Sequence, residues 1–388
     1  MTSRITYFFV GGGTGGHLYP GIAIAERLVE ADGAARCVFL CSERAVDRAV
    51  MSATGFEFAA LPARPAGASV RGVWGFVRSW GPSVRAARAR YRAAKAEGEV
   101  RVIAMGGFVA APAVRAAHAE GVEVTLVNLD AVPGKANRLI ARRAARVFTA
   151  LPVDVRHGYA NGWTLTAPIV RRGARSGLSG GECRSALGLD AARPVLMVTG
   201  GSLGAASLNE LMIAQMNMKP ERSALQRALA GGGWQVLHQC GGSSEAVVEK
   251  LRSAYLAAGV PAIVEVLVQR MDLWWGSAEV AVSRAGAGAV AEAWGNGVPT
   301  IFAPYPYHKD QHQRENAARL VKAGGAVVAE DLVEPERNAE TLGRAIVDLI
   351  TDGPRRTGMR GSLKNLGPAN GAETIAQELR NSRGSPNF

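Results

Sequence analysis

Residues 5–20 read Ile5-Thr6-Tyr7-Phe8-Phe9-Val10-Gly11-Gly12-Gly13-Thr14-Gly15-Gly16-His17-Leu18-Tyr19-Pro20. An apolar run of strand character ends in glycines, and the chain then enters a stretch of helical character. Glycine alone approaches a ligand this closely and takes positive φ without steric cost, so the turn is suited to presenting backbone N–H groups to an anionic or crowded group. His17 places a titratable imidazole in the same turn. The segment therefore offers both a cradle and a base.

Working outward, short Val/Ile/Leu-rich runs alternate with longer Ala/Leu/Arg/Glu-rich stretches, the pattern of parallel strands joined by helical crossovers. A first set covers residues 5–10, 37–41, 102–105, 124–127, 147–150 and 164–167; a second covers 195–199, 236–239, 263–267, 280–283, 300–303 and 326–329. The expectation is α/β: two doubly wound Rossmann-like domains facing across a cleft, with about six strands each. The small, polar stretch from Arg172 to Gly181 marks the boundary. The domains are then 1–170 and 171–370, with 371–388 a terminal helix, over 372–379, and a tail; the helix packs back on the first domain. Four glycine turns follow strands: Gly11 to Gly16, Gly106-Gly107, Gly200 to Gly204, and Arg284-Ala285-Gly286-Ala287-Gly288.

The bulk numbers narrow the function. A chain of 388 residues with 48% hydrophobic content buries two cores, and no apolar run reaches the roughly 18 to 20 residues of a membrane span. Cys37, Cys41, Cys183 and Cys240 lack partners at metal-ligand spacing and read as free thiols of a reducing, cytoplasmic compartment. The net charge of +12 asks for a polyanionic partner. Between Arg64 and Lys95 there are eight cations and no acid, with Val73, Trp74, Phe76, Val77 and Trp80 embedded among them. Such a stretch is either an interfacial anchor on anionic lipid or a solvated helix face held to a core by its aromatics. No recognised RNA module accompanies it, so nucleic acid is not an expected partner.

Gly11 to Gly16 formally satisfies G-x-G-x-x-G, with Glu43 as a ribose-binding acid, which keeps a nicotinamide enzyme as a rival. Against it, Pro20 suits the start of a helix. His17 would then precede the helix, where it would crowd a dinucleotide pyrophosphate. The turn after residues 195–199 sets Ser202 and its neighbours to hold a diphosphate at a helix N-terminus. Glu292 stands among small residues and can accept two hydrogen bonds from a ribose diol. Residues 304–317 gather imidazoles, amides and a cation suited to sugar and phosphate. No D-x-D spacing or carboxylate cluster suggests a metal, and no cofactor is expected.

The Gly11 to Pro20 turn, Gly106-Gly107-Phe108, the Gly200 to Ala205 turn, Arg284 to Glu292, and His308-Lys309-Asp310 through Asn316-Ala317 occur in this order within residues 5–350. Together they resemble the MurG family of N-acetylglucosaminyltransferases. The resemblance implies a GT-B fold and an inverting, metal-independent transfer of GlcNAc from UDP-GlcNAc to the lipid-linked muramoyl-pentapeptide diphosphate acceptor. The enzyme would sit peripherally on the cytoplasmic face of the cell membrane, its first domain against the anionic membrane surface. It makes His17 the general base, with Thr14, Gly15 and Gly16 lining the acceptor and sugar side. Arg171 becomes a nucleotide contact, Ser202 a diphosphate contact, and Leu267, Val268 and Met271 the border of the uracil. Glu292 would bind ribose and Gln313 the donor sugar, with Arg284 and His312 also on the substrate. The family's His-Glu-Gln-Asn segment is here Val127-Asn128-Leu129-Asp130, so Asp130 stands where an asparagine meets the sugar and competes with His17 as base. The Gly-Asn-Pro-Val-Arg turn is here Ala167 to Arg171, and His312 replaces the first of two glutamines. A related transferase with another acceptor and a non-enzymatic basic binding protein remain as alternatives.

Overall fold

The computed structural model describes residues 4–13, 15–67, 69–153, 162–201, 204–242, 244–307 and 311–381. The chain divides into two compact units, Met1–Arg171 with Asn370–Phe388, and Arg172–Ala369.

The first unit contains β1 (Ile5–Gly11), β2 (Arg36–Ser42), β3 (Glu57–Leu61), β4 (Glu99–Gly106), β5 (Glu123–Asn128), β6 (Arg146–Thr149) and β7 (Thr164–Leu165). Its helices are α1 (Gly15–Ala31), α2 (Ala45–Ser52), α3 (Val70–Lys95), α4 (Gly107–Ala119) and α5 (Lys135–Ala141). The strands pair in parallel in the order β3-β2-β1-β4-β5-β6-β7. This sheet has one strand beyond the expected six. β3 escapes the periodicity because Glu57-Phe58-Ala59-Ala60-Leu61 contains no β-branched residue and lies at the sheet edge with Glu57 exposed. Phe8 meets Tyr91 of α3 edge-on at 4.9 Å, in a core that includes Leu40, Leu126 and Ala113.

α1 starts at Gly15, so His17 lies in the first helical turn and Pro20 inside the helix, which corrects the expected order. Pro20 cannot donate to the Gly16 carbonyl, a loss confined to one bond near the helix start.

The second unit contains β8 (Val195–Thr199), β9 (Gln235–Gln239), β10 (Ala262–Glu265), β11 (Val280–Ser283), β12 (Thr300–Phe302) and β13 (Ala326–Val328). They form a parallel sheet in the order β10-β9-β8-β11-β12-β13. Around it are α6 (Gly180–Ala186), α7 (Ala206–Asn217), α8 (Ala224–Gly231), α9 (Glu245–Ala257), α10 (Met271–Ser277) and α11 (Ala287–Asn296), followed by α12 (His312–Lys322), α13 (Pro335–Asn338), α14 (Arg344–Thr351) and α15 (Gly353–Asn365). β10 ends two residues before the expected 267, leaving Val266 and Leu267 exposed beyond the sheet.

Both orders reverse direction once, between β1 and β4 and between β8 and β11. In doubly wound sheets this switch point opens a crevice at the carboxyl ends of the strands. The four glycine turns follow β1, β4, β8 and β11, so each switch point is flanked by two of them.

The last helix, α16 (Gly371–Asn381), packs against α1. Gly371 donates to the Pro168 carbonyl at 3.1 Å, and a Cβ there would strike the Ala167 carbonyl. Near the helix's negative C-terminus, Arg101 donates to the Leu379 carbonyl at 2.7 Å and Arg146 to the Glu378 carbonyl at 3.1 Å. Leu379 is fully buried. Leu379→Ala is expected to lower the unfolding free energy of the first unit by about 2–4 kcal/mol, read from urea unfolding followed by far-UV circular dichroism.

Candidate functional site

At the carboxyl end of β1, Gly12 and Gly13 take φ of +154° and +92°. Asp47 of α2 reaches back to this turn and is fully buried. Its carboxylate accepts from the Gly13 N–H at 2.8 and 3.0 Å, and from the Ser42 N–H and hydroxyl at 2.9 and 2.6 Å. A Cβ on Gly12 would strike the Asp47 carboxylate, and one on Gly13 would strike the Phe108 ring. Arg44 donates to the Gly13 carbonyl at 3.0 Å and lies 5.1 Å from the centre of the Phe108 ring. The glycines therefore serve the turn's own architecture before any ligand arrives.

His17 packs against the neighbouring turn. A Cβ on Gly107 would lie 3.3 Å from its Nδ1, and one on Gly106 3.2 Å from its Cδ2. Both glycines have positive φ, +97° at Gly106 and +76° at Gly107. The ring is part-exposed, yet enough of it is desolvated to lower its pKa below the ordinary 6.5, while the charges of Asp130 and Asp47 act in the raising sense. The imidazole is thus neutral at pH 7, as a proton acceptor must be.

Asp130 follows β5, next to a buried amide relay. The Asn128 amide donates to the Asp130 backbone carbonyl at 2.7 Å and to Thr149 Oγ1 at 3.1 Å, and accepts from Asn137 at 3.1 Å. Asn137 Oδ1 lies 2.8 Å from where a Gly106 Cβ would stand, so Asn137 belongs beside His17. On the other side of the turn, Gly15 packs on the Tyr19 ring, and the Arg171 guanidinium stacks 4.0 Å from that ring's centre. Arg171 Nε is buried with no hydrogen-bond partner among the described residues. Gly16 is exposed, and Thr14 lies outside the described residues.

In the second unit, Thr199 donates to Gln239 Oε1 at 2.6 Å and accepts from the Gly201 N–H at 3.0 Å, fixing the start of the turn. Ser202 and His308 lie outside the described residues. Arg284 is held within the fold: it donates to Asp331 at 2.6 Å, the Ala303 carbonyl at 3.0 Å and Ser207 at 3.0 Å. Burial raises the pKa of Asp331, but bonds from Ser207, Asn338 and the Val333 N–H, with the Arg284 charge, outweigh it and keep the carboxylate ionised. Arg284 thereby anchors the β11 turn, with Tyr305 5.7 Å from its guanidinium. Gln313 accepts from the Tyr305 N–H at 2.9 Å, next to His312 at the start of α12. One oxygen of Glu292 accepts from the Trp275 indole at 2.8 Å, which orients the carboxylate. Leu267 is 56% exposed, whereas Val268 and Met271 are buried at 6% and 9%. Of the three, only Leu267 offers an open apolar face. Among the described residues no group of three or more His, Cys, Asp or Glu side chains is placed to hold a metal ion.

Asp47, Asn128, Asn137, Trp275 and Asp331 escaped the sequence reading. Asp47 reads as a solvated residue of a short amphipathic helix, and only the strand-capping glycines 34 positions earlier hint at its partner. Asn128 carried a signal, an amide closing the buried run of β5.

Residues 7–149 match the model of the glycosyltransferase family 28 N-terminal domain, and residues 195–376 match that of the glycosyltransferase family 28 C-terminal domain. A relative from Acidothermus cellulolyticus is 34% identical over 379 residues, 94% of this chain and 95% of its own length. It is named UDP-N-acetylglucosamine--N-acetylmuramyl-(pentapeptide) pyrophosphoryl-undecaprenol N-acetylglucosamine transferase. The chain belongs to the MurG family of glycosyltransferases. A relative of the same name from Geobacter sulfurreducens is 31% identical over 375 residues, covering 95% of this chain and 96% of its own length. In fold, the chain is similar to the crystal structure of Acinetobacter baumannii MurG, with a TM-score of 0.66 at 21% identity over 97% of this chain and 99% of that one. The fold is thus GT-B, built from two Rossmann-like domains.

Asp47→Ala leaves the Gly13 and Ser42 N–H groups without their acceptor. It is expected to cost about 2–4 kcal/mol, read from denaturant unfolding, with Asp47→Asn retaining part of the stability.

Proposed function

We propose that this chain transfers N-acetylglucosamine from UDP-GlcNAc to the lipid-linked muramoyl-pentapeptide diphosphate, with inversion at the anomeric carbon and without a metal ion. The observation that carries the reading is His17, held neutral against Gly106 and Gly107 at the first switch point. As the acceptor hydroxyl oxygen attacks the anomeric carbon, its proton passes to the His17 imidazole and the bond to UDP breaks on the opposite face. The Asp130 carboxylate stabilises the imidazolium that results. It is also the alternative base.

On the donor side, the diphosphate rests on the turn after β8 that contains Ser202, where N–H groups and the positive end of α7 receive the leaving charge. Glu292, oriented by Trp275, takes the ribose diol. Leu267 flanks the uracil, with Val268 and Met271 forming the packing beneath it. Gln313 and His312 face the sugar, with Thr14, Gly15 and Gly16 on the acceptor side. Arg171, stacked on Tyr19 and with an unsatisfied Nε, is poised for an anion. Arg284, oriented by Asp331, Ser207 and the Ala303 carbonyl, stands on the substrate side.

We place the enzyme peripherally on the cytoplasmic face of the membrane. No helix among the described residues is long and apolar enough to cross a membrane. In α3, Val73, Trp74 and Val77 are 51%, 63% and 63% exposed, while Phe76 and Trp80 are half-buried and pair with each other at 5.5 Å. Arg64, Arg71 and Arg78 join Trp74 in lining a groove of about 580 Å³ there. Exposed apolar groups amid cations suit an anionic lipid surface.

Purified protein given labelled UDP-GlcNAc and the lipid acceptor with EDTA present is expected to form product. His17→Ala should reduce kcat by about 10²- to 10⁴-fold with UDP affinity unchanged, and undiminished turnover would overturn the assignment. With His17 as the base, kcat/KM falls as pH drops through its pKa, below 6.5. Asp130→Asn removes a raising charge and should move that limb to lower pH; abolished activity at every pH would instead make Asp130 the base.

A further inference from the structure

A buried polar chain behind the second switch point belongs to none of the contacts above. His238 of β9 is fully buried, with Nδ1 2.8 Å from the Tyr255 hydroxyl and Nε2 2.9 Å from Asn209 Oδ1. The Asn209 amide donates to the Cys240 carbonyl at 3.2 Å. That carbonyl lies 2.6 Å from where a Cβ on Gly204 would stand, and Gly204 and Gly241 meet backbone to backbone, both at positive φ.

The direction of every bond follows from one group. A backbone carbonyl only accepts, so Asn209 must point its NH₂ at Cys240 and its oxygen at His238. His238 then bears its proton on Nε2, which leaves Nδ1 bare to accept from the Tyr255 hydroxyl. Burial supports this arrangement at both ends: it depresses the His238 pKa to about 3, which keeps the ring neutral, and raises that of Tyr255, which keeps the phenol protonated. Asn209 is in α7, His238 in β9 and Tyr255 in α9, so the relay ties the helix that receives the diphosphate to the neighbouring strand end. Thr199 and Gln239 tie the start of the same turn to the same strand.

We propose that Tyr255, His238 and Asn209 are positioning residues for the donor nucleotide, setting the approach of the turn after β8 through one fixed hydrogen-bond direction without touching substrate. The proposal rests on the reading of that turn as the diphosphate site. Tyr255→Phe removes the first donor. Asn209→Asp keeps the acceptor for His238 but loses the donor to Cys240. Each is expected to raise the UDP dissociation constant and the donor KM by about 5- to 20-fold, equivalent to a hydrogen bond or two, with acceptor KM held within about two-fold.

Leu349→Ala, a core truncation in the same unit, is the control: at a matched fall in melting temperature it should leave donor binding unchanged. Nitrogen-15 NMR of the wild-type ring should show the proton on Nε2, a readout independent of any variant's folding. A proton on Nδ1, or equal effects of the relay variants and Leu349→Ala on donor binding, overturns the proposal alone. Wild-type protein with no affinity for UDP by calorimetry overturns the donor-site reading and the proposal with it.

Discussion

The structure depends on where each parallel sheet reverses its winding. Strands laid outward from β1 on one side and from β4 on the other leave a gap at their carboxyl ends that no crossover covers, and the same holds for β8 and β11. His17 and the four glycine turns collect at these two places. The glycines there are required because the turns touch their own surroundings: Asp47, Phe108 and His17 in the first unit, and Cys240 in the second. A side chain at those positions would displace these neighbours before it reached any ligand.

The two units stabilise their turns by different electrostatic means. In the first, the buried Asp47 accepts from neutral donors, the Gly13 N–H of the turn and the Ser42 N–H and hydroxyl at the end of β2, and its charge acts on His17 in the raising sense. In the second, buried Asp331 is matched by Arg284, and the pair is largely self-contained. The contrast suits the chemistry assigned to each: a residual negative field helps an imidazole accept a proton, whereas a net negative field beside a diphosphate would oppose binding.

Much of this was legible in the sequence, for identifiable reasons. Eleven of the twelve apolar runs read as strands lie within two residues of the observed ones at each end, because buried parallel strands are continuously apolar. The run ending at 105 began earlier, at Glu99, where the exposed end of β4 is polar. β3 was missed because an edge strand needs no such run. His17 drew attention as an imidazole among glycines, whereas the partners of Asp47, Asn137 and Asp331 are set by the fold and leave no pattern in the chain. The position of Pro20 misled because proline is common at a helix start, whereas here it stands in the second turn. For Arg284, residue type and position suggested a ligand contact, while its three internal partners, 19 to 77 positions away, could not be read from the chain.

The docking of α16 on α1 has a consequence for biosynthesis. The first unit is discontinuous: residues 172–369 are, in connectivity, an insertion between Arg171 and Asn370. A ribosome thus delivers the whole second unit before the segment that supplies Ile375 and Leu379 to the first unit's packing. The uninterrupted second unit is free to complete its fold during translation, while the first unit waits for the final helix to finish its core.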